Sequence, residues 1–505
     1  MEIKRKDFLK VTSLAGFGFM GLKSASGTAI QSQKNYNIKD YGAKEGTQAI
    51  NTESIQKAIN AAHEAGGGRV VVPSGTFATG TLILKSNVEI HLQEKAELLG
   101  SPKIKDYSPQ KPTERRGYDG TEPTPRLTTS LIFAQGAHDI SITGAGILNG
   151  NNTSDANDFM QSEKHERPGI IWFDECTNVF VQGVTFTEAG FWIETYSMCR
   201  NLHIDGIKVR DSYFPSNDGC NIVDCENALI ENCDIKSQDD AIVLKSFTLR
   251  GCRNIIVRNN RVRSLTNGFK IGTETNGPFE NILIEKNTVW ETGISGIAIE
   301  SVDGSVLSNI IVRDIQMDVV STPIFIRLGK RRRATIVDGK EKRLKAGAMQ
   351  NIQISNIRAT VDWRKNLYEF EKDMHKYQPY ASSITGFPGH YPTGITIEDV
   401  EIEILGGFPV RGPEDANREV PLNSDGYPEN RMFGVLPAYG FYVRHVKDMR
   451  MANVNVRIRQ EDSRPAFVLD EVHDAIFQNI STNSITNTDK FKVKDNCTGI
   501  EILPD

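Results

Sequence analysis

Asn178-Val-Phe-Val, Asn201-Leu-His-Ile, Asn227-Ala-Leu-Ile, Asn254-Ile-Ile-Val, Asn281-Ile-Leu-Ile and Asn309-Ile-Ile-Val follow one another at a nearly even step. A short polar break and a second β-rich triplet come after, as in Gly183-Val-Thr-Phe, Gly206-Ile-Lys-Val and Asn287-Thr-Val-Trp. Weaker copies stand at Asp139-Ile-Ser-Ile, Asn351-Ile-Gln-Ile, Gly394-Ile-Thr-Ile and Asp448-Met-Arg-Met. A period of roughly 27 residues marks stacked units, none of which can bury a core alone. Short β-branched triplets alternating with period two make each unit a coil of strands and not a pair of helices. The expected fold is all-β: one parallel β-helix, a single solenoid over residues 36–505.

Asparagine suits the repeated corner because it tolerates a left-handed backbone and can stack its amide on the next coil. Such a ladder is structural, not catalytic. Cys176, Cys199, Cys225 and Cys252 each precede a ladder asparagine by two positions. They are read as one inward position in which cysteine serves as a small hydrophobe, in preference to disulfide or metal chemistry.

The N-terminal part departs from the period. Ile55, Ala58, Ile59 and Ala62 share one helical face between a cap at Asn51 or Thr52 and the Gly66-Gly67-Gly68 stop. This predicts a helix covering the open end of the solenoid, where exposed sheet edges need protection. Before it, Lys4-Arg5-Lys6, the apolar stretch Val11 to Leu22 and the small residues Ser24 to Ala29 follow the order of an export signal over residues 1–29. The basic block is similar to a twin-arginine signal with Lys6 in place of the second arginine. A periplasmic or extracellular protein is expected. Three long loops interrupt the coils near residues 103–130, 330–347 and 363–392, and loops on a rigid scaffold are where binding usually resides. The second carries Lys330, Arg331, Arg332, Arg333, Lys340, Lys342, Arg343 and Lys345, read as a basic hairpin that clamps an acidic polymer or as a solvated loop.

With 505 residues, 38% hydrophobic and 24% charged, the chain can bury a large core. A net charge of −5 argues against nucleic acid as the main partner, and after the leader no stretch is long and apolar enough for stable membrane insertion. A monomer is expected.

The chemistry concentrates in FPSNDGCNIVDCENALIENCDIKSQDDAIVLKS, Phe214 to Ser246. Asp218 and Asp239 are separated by close to one coil, so they should lie on neighbouring rungs, with Asp240 adding a third carboxylate. Glycoside hydrolysis needs one carboxylic acid to protonate the leaving oxygen and one carboxylate to activate water or attack the sugar. Crowding raises the pKa of one of the acids and keeps its proton available. On residues alone, the same pair also reads as a solvated corner or a calcium site.

Asn217-Asp218-Gly219 followed by Gln238-Asp239-Asp240 inside a β-helix resembles the polygalacturonases of glycoside hydrolase family 28, which are right-handed parallel β-helices. Gly66-Gly-Gly-Arg-Val-Val-Val-Pro, Leu99-Gly-Ser and Met432-Phe-Gly-Val-Leu-Pro-Ala-Tyr-Gly-Phe-Tyr-Val-Arg-His are similar as well. The resemblance implies an inverting hydrolase of pectic or related acidic polysaccharide that uses no metal or cofactor. Asp239 would be the general acid, with Asp218 and Asp240 holding the water. Asn217, Gln238, Lys245, Asn267, Lys270 and Glu300 would bind substrate. The chain departs from the family pattern at two places. Thr266-Asn267-Gly268 stands where the family has Gly-His-Gly, and Ala298-Ile299-Glu300 where it has Arg-x-Lys. Glu300 would repel a galacturonate unless Lys270 or Lys245 restores the charge; Lys270, close to one coil away, is also placed for a salt bridge with Glu300. These departures keep two alternatives in play, a β-helix polysaccharide lyase and a non-catalytic carbohydrate-binding β-helix. Trp192 and Glu194 are expected to line the groove, with core packing an equal reading for Trp192, and His203 to be structural.

Overall fold

The computed structural model describes residues 34–113, 128–152, 158, 167–210, 216–337, 340–362, 380–406, 409–483 and 489–503. The expected leader, residues 114–127 of the first long loop and 363–379 of the third lie outside them. Among the described residues, strands from Asn35 to Leu503 join one 32-stranded sheet, each strand pairing in parallel with the strand one coil on. That is the parallel β-helix the period predicts.

The ladder is present as a continuous column. Asn201 Nδ2 donates to Asn178 Oδ1 at 2.9 Å, Asn227 to Asn201 at 3.3 Å, Asn254 to Asn227 at 3.0 Å, Asn281 to Asn254 at 3.2 Å and Asn309 to Asn281 at 3.1 Å. All six have φ between 55° and 59°, the left-handed region. Replacing Asn254 by alanine removes an amide from the middle of the column and forces a Cβ-bearing residue to φ 56°. The expected loss is about 1–3 kcal/mol, read as a lower urea midpoint. Asn254→Gly, which relieves the backbone strain but not the lost amide, should lose less.

Inside the coils the aliphatic rows stack. Tyr196, Ile222, Leu244, Ile271, Ile299 and Ile326 follow one another in register and belong to one core. Cys176, Cys199, Cys225 and Cys252 are free thiols fully buried in it, as the alternation implies. The helix α1, Thr52–Glu64, buries Ile55, Ala58, Ile59 and Ala62. Asn51 occupies its N-cap position, its carbonyl accepting from the Ile55 N–H at 2.9 Å, but its side chain does not bond the helix. Its amide instead donates to the carbonyls of Lys44, Ala49 and Ala78 and accepts from the Lys44 N–H.

Five strands of one face carry the site: β1, Glu194–Ser197; β2, Cys220–Val223; β3, Ile242–Ser246; β4, Asn267–Thr275; and β5, Phe279–Ser301. Their outward positions line up across the coils, with Thr195, Asn221, Val243, Lys270 and Ala298 in one row.

Candidate active site

The carboxylates sit where the chain turns into β2 and β3. The Ile193 N–H donates to Asp218 O at 2.9 Å, Gly219 N–H to Asp240 O at 2.8 Å and Ala241 N–H to Asn267 O at 2.9 Å. Asp218, Asp240 and Asn267 therefore stack on three successive coils, and Asp239 stands beside Asn217, whose carbonyl accepts from its N–H at 3.4 Å. Asp218 is thus in step with Asp240, and not with Asp239 as the sequence spacing suggests. All three aspartates line one cleft with Trp172, Phe191, Trp192, Phe247, Lys245, Glu274, Arg333 and Tyr427.

Each flanking aspartate has its own lysine. Lys245 Nζ donates to Asp218 Oδ2 at 2.5 Å, and Lys270 Nζ lies 3.1 Å from Asp240 Oδ2. Asn267 Nδ2 donates to Asp240 Oδ1 at 2.7 Å. Asp239 is held differently. Its Oδ1 accepts from the Asp240 N–H at 3.0 Å and lies 3.0 Å from Thr266 Oγ1, while its Oδ2 has no partner among the described residues. The ammonium groups stand where a cation would be bound, so the calcium reading of the Asp-Asp turn does not fit these side chains.

The electrostatics separate the three acids. Burial, and then the neighbouring Asp240, raise the Asp239 carboxyl above the usual range, against the pull of Lys270 and Lys245. Burial works against the charge on Asp240 too, but Lys270, Lys245 and the Asn267 amide together outweigh it and hold that carboxyl low. Asp218 and Lys245 pull in opposite senses. Burial, with Asp239 and Asp240, lifts Asp218, whereas Asp218 and the other carboxylates hold Lys245 above its usual range despite burial. The 2.5 Å contact favours the charged pair, because a neutral Asp218 would leave a buried ammonium without its counter-charge.

Other expected site residues fall elsewhere. Asn217 is buried and donates to Ala189 O at 3.2 Å, so its amide holds backbone. Gln238 is half-buried and is not among the lining residues. Glu300 corrects an expectation. It makes no ion pair with Lys270, whose partner is Asp240, and it is buried beside Gly272, where a side chain would collide with its carboxyl. Burial, only partly offset by Lys270, pushes it up to about 8, so the carboxyl favours its proton at neutral pH and opposes a sugar carboxylate less than an ordinary glutamate would. Of the Phe191-Trp-Ile-Glu run, Trp192 faces the cleft and Glu194 points inward, accepting from Tyr196 Oη at 2.7 Å. His203 pairs with Glu231 at 3.0 Å and is not among the residues lining the cleft, in keeping with the structural role expected of it.

In the basic loop Thr335–Val337 pairs antiparallel with Lys340–Lys342; Asp338 and Gly339, where the hairpin turn is expected, lie outside the described residues. The clamp expectation needs correcting for two of its arginines. Arg331 is held by both oxygens of Asp303, and Arg333 Nη1 donates to Glu274 Oε1 at 2.7 Å. The lattice of Glu274, Asp303 and these arginines was not legible as a site, although alternation from Lys270 places 272 and 274 on the same face. Tyr427, whose Oη accepts from Thr273 Oγ1 at 3.0 Å, comes from a segment far along the chain and had no local signal. Arg332, whose Nε donates to Leu344 O on the exposed side, is expected to tolerate Arg332→Glu within about 0.5 kcal/mol, checked by thermal melting.

Comparison with known proteins agrees with this geometry. The chain is 27% identical over 297 residues to a probable polygalacturonase of Vitis vinifera, covering 56% of this chain and 60% of that protein. It is 28% identical over 250 residues to an exo-poly-alpha-D-galacturonosidase of Dickeya chrysanthemi, covering 45% and 40%. The chain thus spans about half the length of these curated relatives. In three dimensions it superposes on a hyperthermoactive exopolygalacturonase from Thermotoga maritima with a TM-score of 0.57 at 23% identity, over 73% of this chain and 87% of that one, a likeness of fold. The profile of glycosyl hydrolases family 28 matches residues 68–405. The three aspartates, their two lysines and the aromatic wall from Trp172 to Phe247 all lie inside that match, and the chain belongs to glycosyl hydrolases family 28.

Proposed function

We propose that this protein is an exported glycoside hydrolase that cleaves glycosidic bonds in a pectic or related acidic polysaccharide with inversion at the anomeric carbon. The observation that carries the reading is the division of labour among the acids: Asp239 is raised and keeps one oxygen unengaged, while Asp240 beside it is held charged by Lys270. In this reading Asp239 gives its proton to the glycosidic oxygen as the bond from the anomeric carbon breaks. A water held by Asp240 and Asp218 attacks that carbon from the opposite face and leaves its proton on the carboxylate. Thr266 and Asn267, in place of the family's Gly-His segment, position the acids through the contacts at Asp239 and Asp240.

Export rests on the basic, apolar and small-residue order of residues 1–29. No helix among the described residues is long and apolar enough to cross a membrane.

A panel of pectic polysaccharides with product analysis tests the reading. Saturated reducing ends, with the anomer inverted in an early NMR spectrum, are expected. An unsaturated, ultraviolet-absorbing product would replace the reading with a lyase, and a retained anomer would remove the water-holding role of Asp218 and Asp240.

A further inference from the structure

Among the described residues, the cleft presents no positive charge that is not already paired. Four carboxyls line it, Asp218, Asp239, Asp240 and Glu274, against two cations, Lys245 and Arg333. Lys245 is engaged twice, by Asp218 at 2.5 Å and by the face of Trp192 at 3.9 Å from the ring centroid. Arg333 is held by Glu274 at 2.7 Å. Lys270 and Arg331, the neighbouring cations, are held by Asp240 and Asp303. A sugar carboxylate entering here has to share a cation with the carboxylate already bound to it, which sets two like charges side by side in a buried site. With Asp239 carrying its proton and Asp218, Asp240 and Glu274 each matched by one cation, the lining also offers a sugar carboxylate no net positive charge.

What remains of the lining is uncharged and mostly aromatic, with Ser197, Val223 and Thr273 beside the rings. Trp172 and Trp192 stack with centroids 6.3 Å apart and Phe191 and Trp192 at 5.1 Å, with Phe247 beside them. The rings are mostly buried against one another, and the parts that reach the cleft offer a pyranose apolar surface that asks for no charge on it. Glu300, buried beside Gly272, is not among the residues that line the cleft.

We infer that the sugar ring bound beside Asp239 and the aromatic wall is an uncharged pyranose, so that the bond cut lies at a neutral residue of the polymer and not between two uronates. The inference rests on reading this cleft as that of a glycoside hydrolase, and it names the sugar class at its centre.

The test is a matched pair of probes: oligogalacturonate, and the same oligomer with its carboxyls reduced to primary alcohols, which keeps ring, linkage and length. Binding is measured by calorimetry on the Asp239→Asn protein, which avoids turnover. The neutral oligomer is expected to bind at least about tenfold tighter, the scale of one charged contact, with little change as salt screens the surface. Glu274→Gln, added to this protein, leaves Arg333 without its carboxylate and should move the preference toward the acid by about tenfold. Tighter binding of the acid, failure of both oligomers to bind, or an unmoved ratio in the Glu274→Gln protein would overturn the inference. Product analysis of the unmutated protein on the pectic panel separates the two ideas. Hydrolysis of the panel with preference for the acid sinks the inference alone, and binding of the neutral oligomer with no cleavage of any substrate sinks the hydrolase reading alone.

Discussion

Asp239→Asn is expected to lower kcat on a cleaved pectic substrate by about 10²–10⁴-fold, with KM and folding little changed. Asparagine keeps the oxygen that meets the Asp240 N–H and Thr266 Oγ1 and removes only the transferable proton. The sign of the stability effect follows from the raised pKa. A carboxyl that prefers its proton in the fold costs stability above its unfolded value of about 4, and the cost grows until pH reaches the folded value. Asparagine has no such cost, so the variant should be equal to or slightly more stable than the parent at pH 7, checked by thermal melting beside the kinetics. The pH profile of the parent gives a second reading. Activity needs Asp239 protonated and Asp240 charged, so the alkaline limb should lie above the usual carboxylate range and the acid limb below it. The two limbs belong to the coupled set of acids and not to single residues. A variant retaining more than about a tenth of parental kcat would exclude Asp239 as the acid, since general acid catalysis is worth at least about 10²-fold.

Lys245→Met is expected to destabilise the fold by about 3–5 kcal/mol at neutral pH, the scale of breaking a buried ion pair from one side. Lys245 and Asp218 are both buried, and methionine fills the stem of the lysine while leaving Asp218 with Asp239 and Asp240 as its nearest charges. Asp218, already lifted by burial, rises further once the ammonium is gone. A folded pKa above the unfolded one means that the deficit is small below about pH 4 and widens as pH rises and the unfolded chain ionises. In the parent, the raised Lys245 contributes stability that is complete below its unfolded pKa of about 10.4 and is lost as pH rises through the folded value. Urea midpoints at pH 4 and pH 7 measure the difference. An equal loss at both would mean that packing against Trp192, and not charge, is what Lys245 supplies. Lys245→Met, Asp218→Asn should recover part of the loss, because the buried charge is removed with its partner.

The repeat could be read without coordinates because each coil restates the same local rule. A left-handed asparagine, an inward Val or Ile triplet and a cysteine two positions upstream are near-neighbour features, and stacking turns a period of roughly 27 residues directly into contact. The grouping of Asp218, Asp239 and Asp240 was legible for the same reason, since a step of about one coil in sequence is one rung in space. What each carboxylate does was not legible in the spacing and entered only through the family resemblance. That Asp240 and not Asp239 stands in step with Asp218 depends on a single residue of register. That Lys270 serves Asp240 and leaves Glu300 buried beside Gly272 depends on side-chain direction and burial, which the period does not contain. The paired state of Arg331 and Arg333 likewise needed the position of Asp303 and Glu274, and Tyr427 reaches the cleft from a segment with no periodic relation to it. Local sequence sets a repeating backbone, but which charges neutralise one another is decided only when distant coils close on the same cleft and exclude water from it.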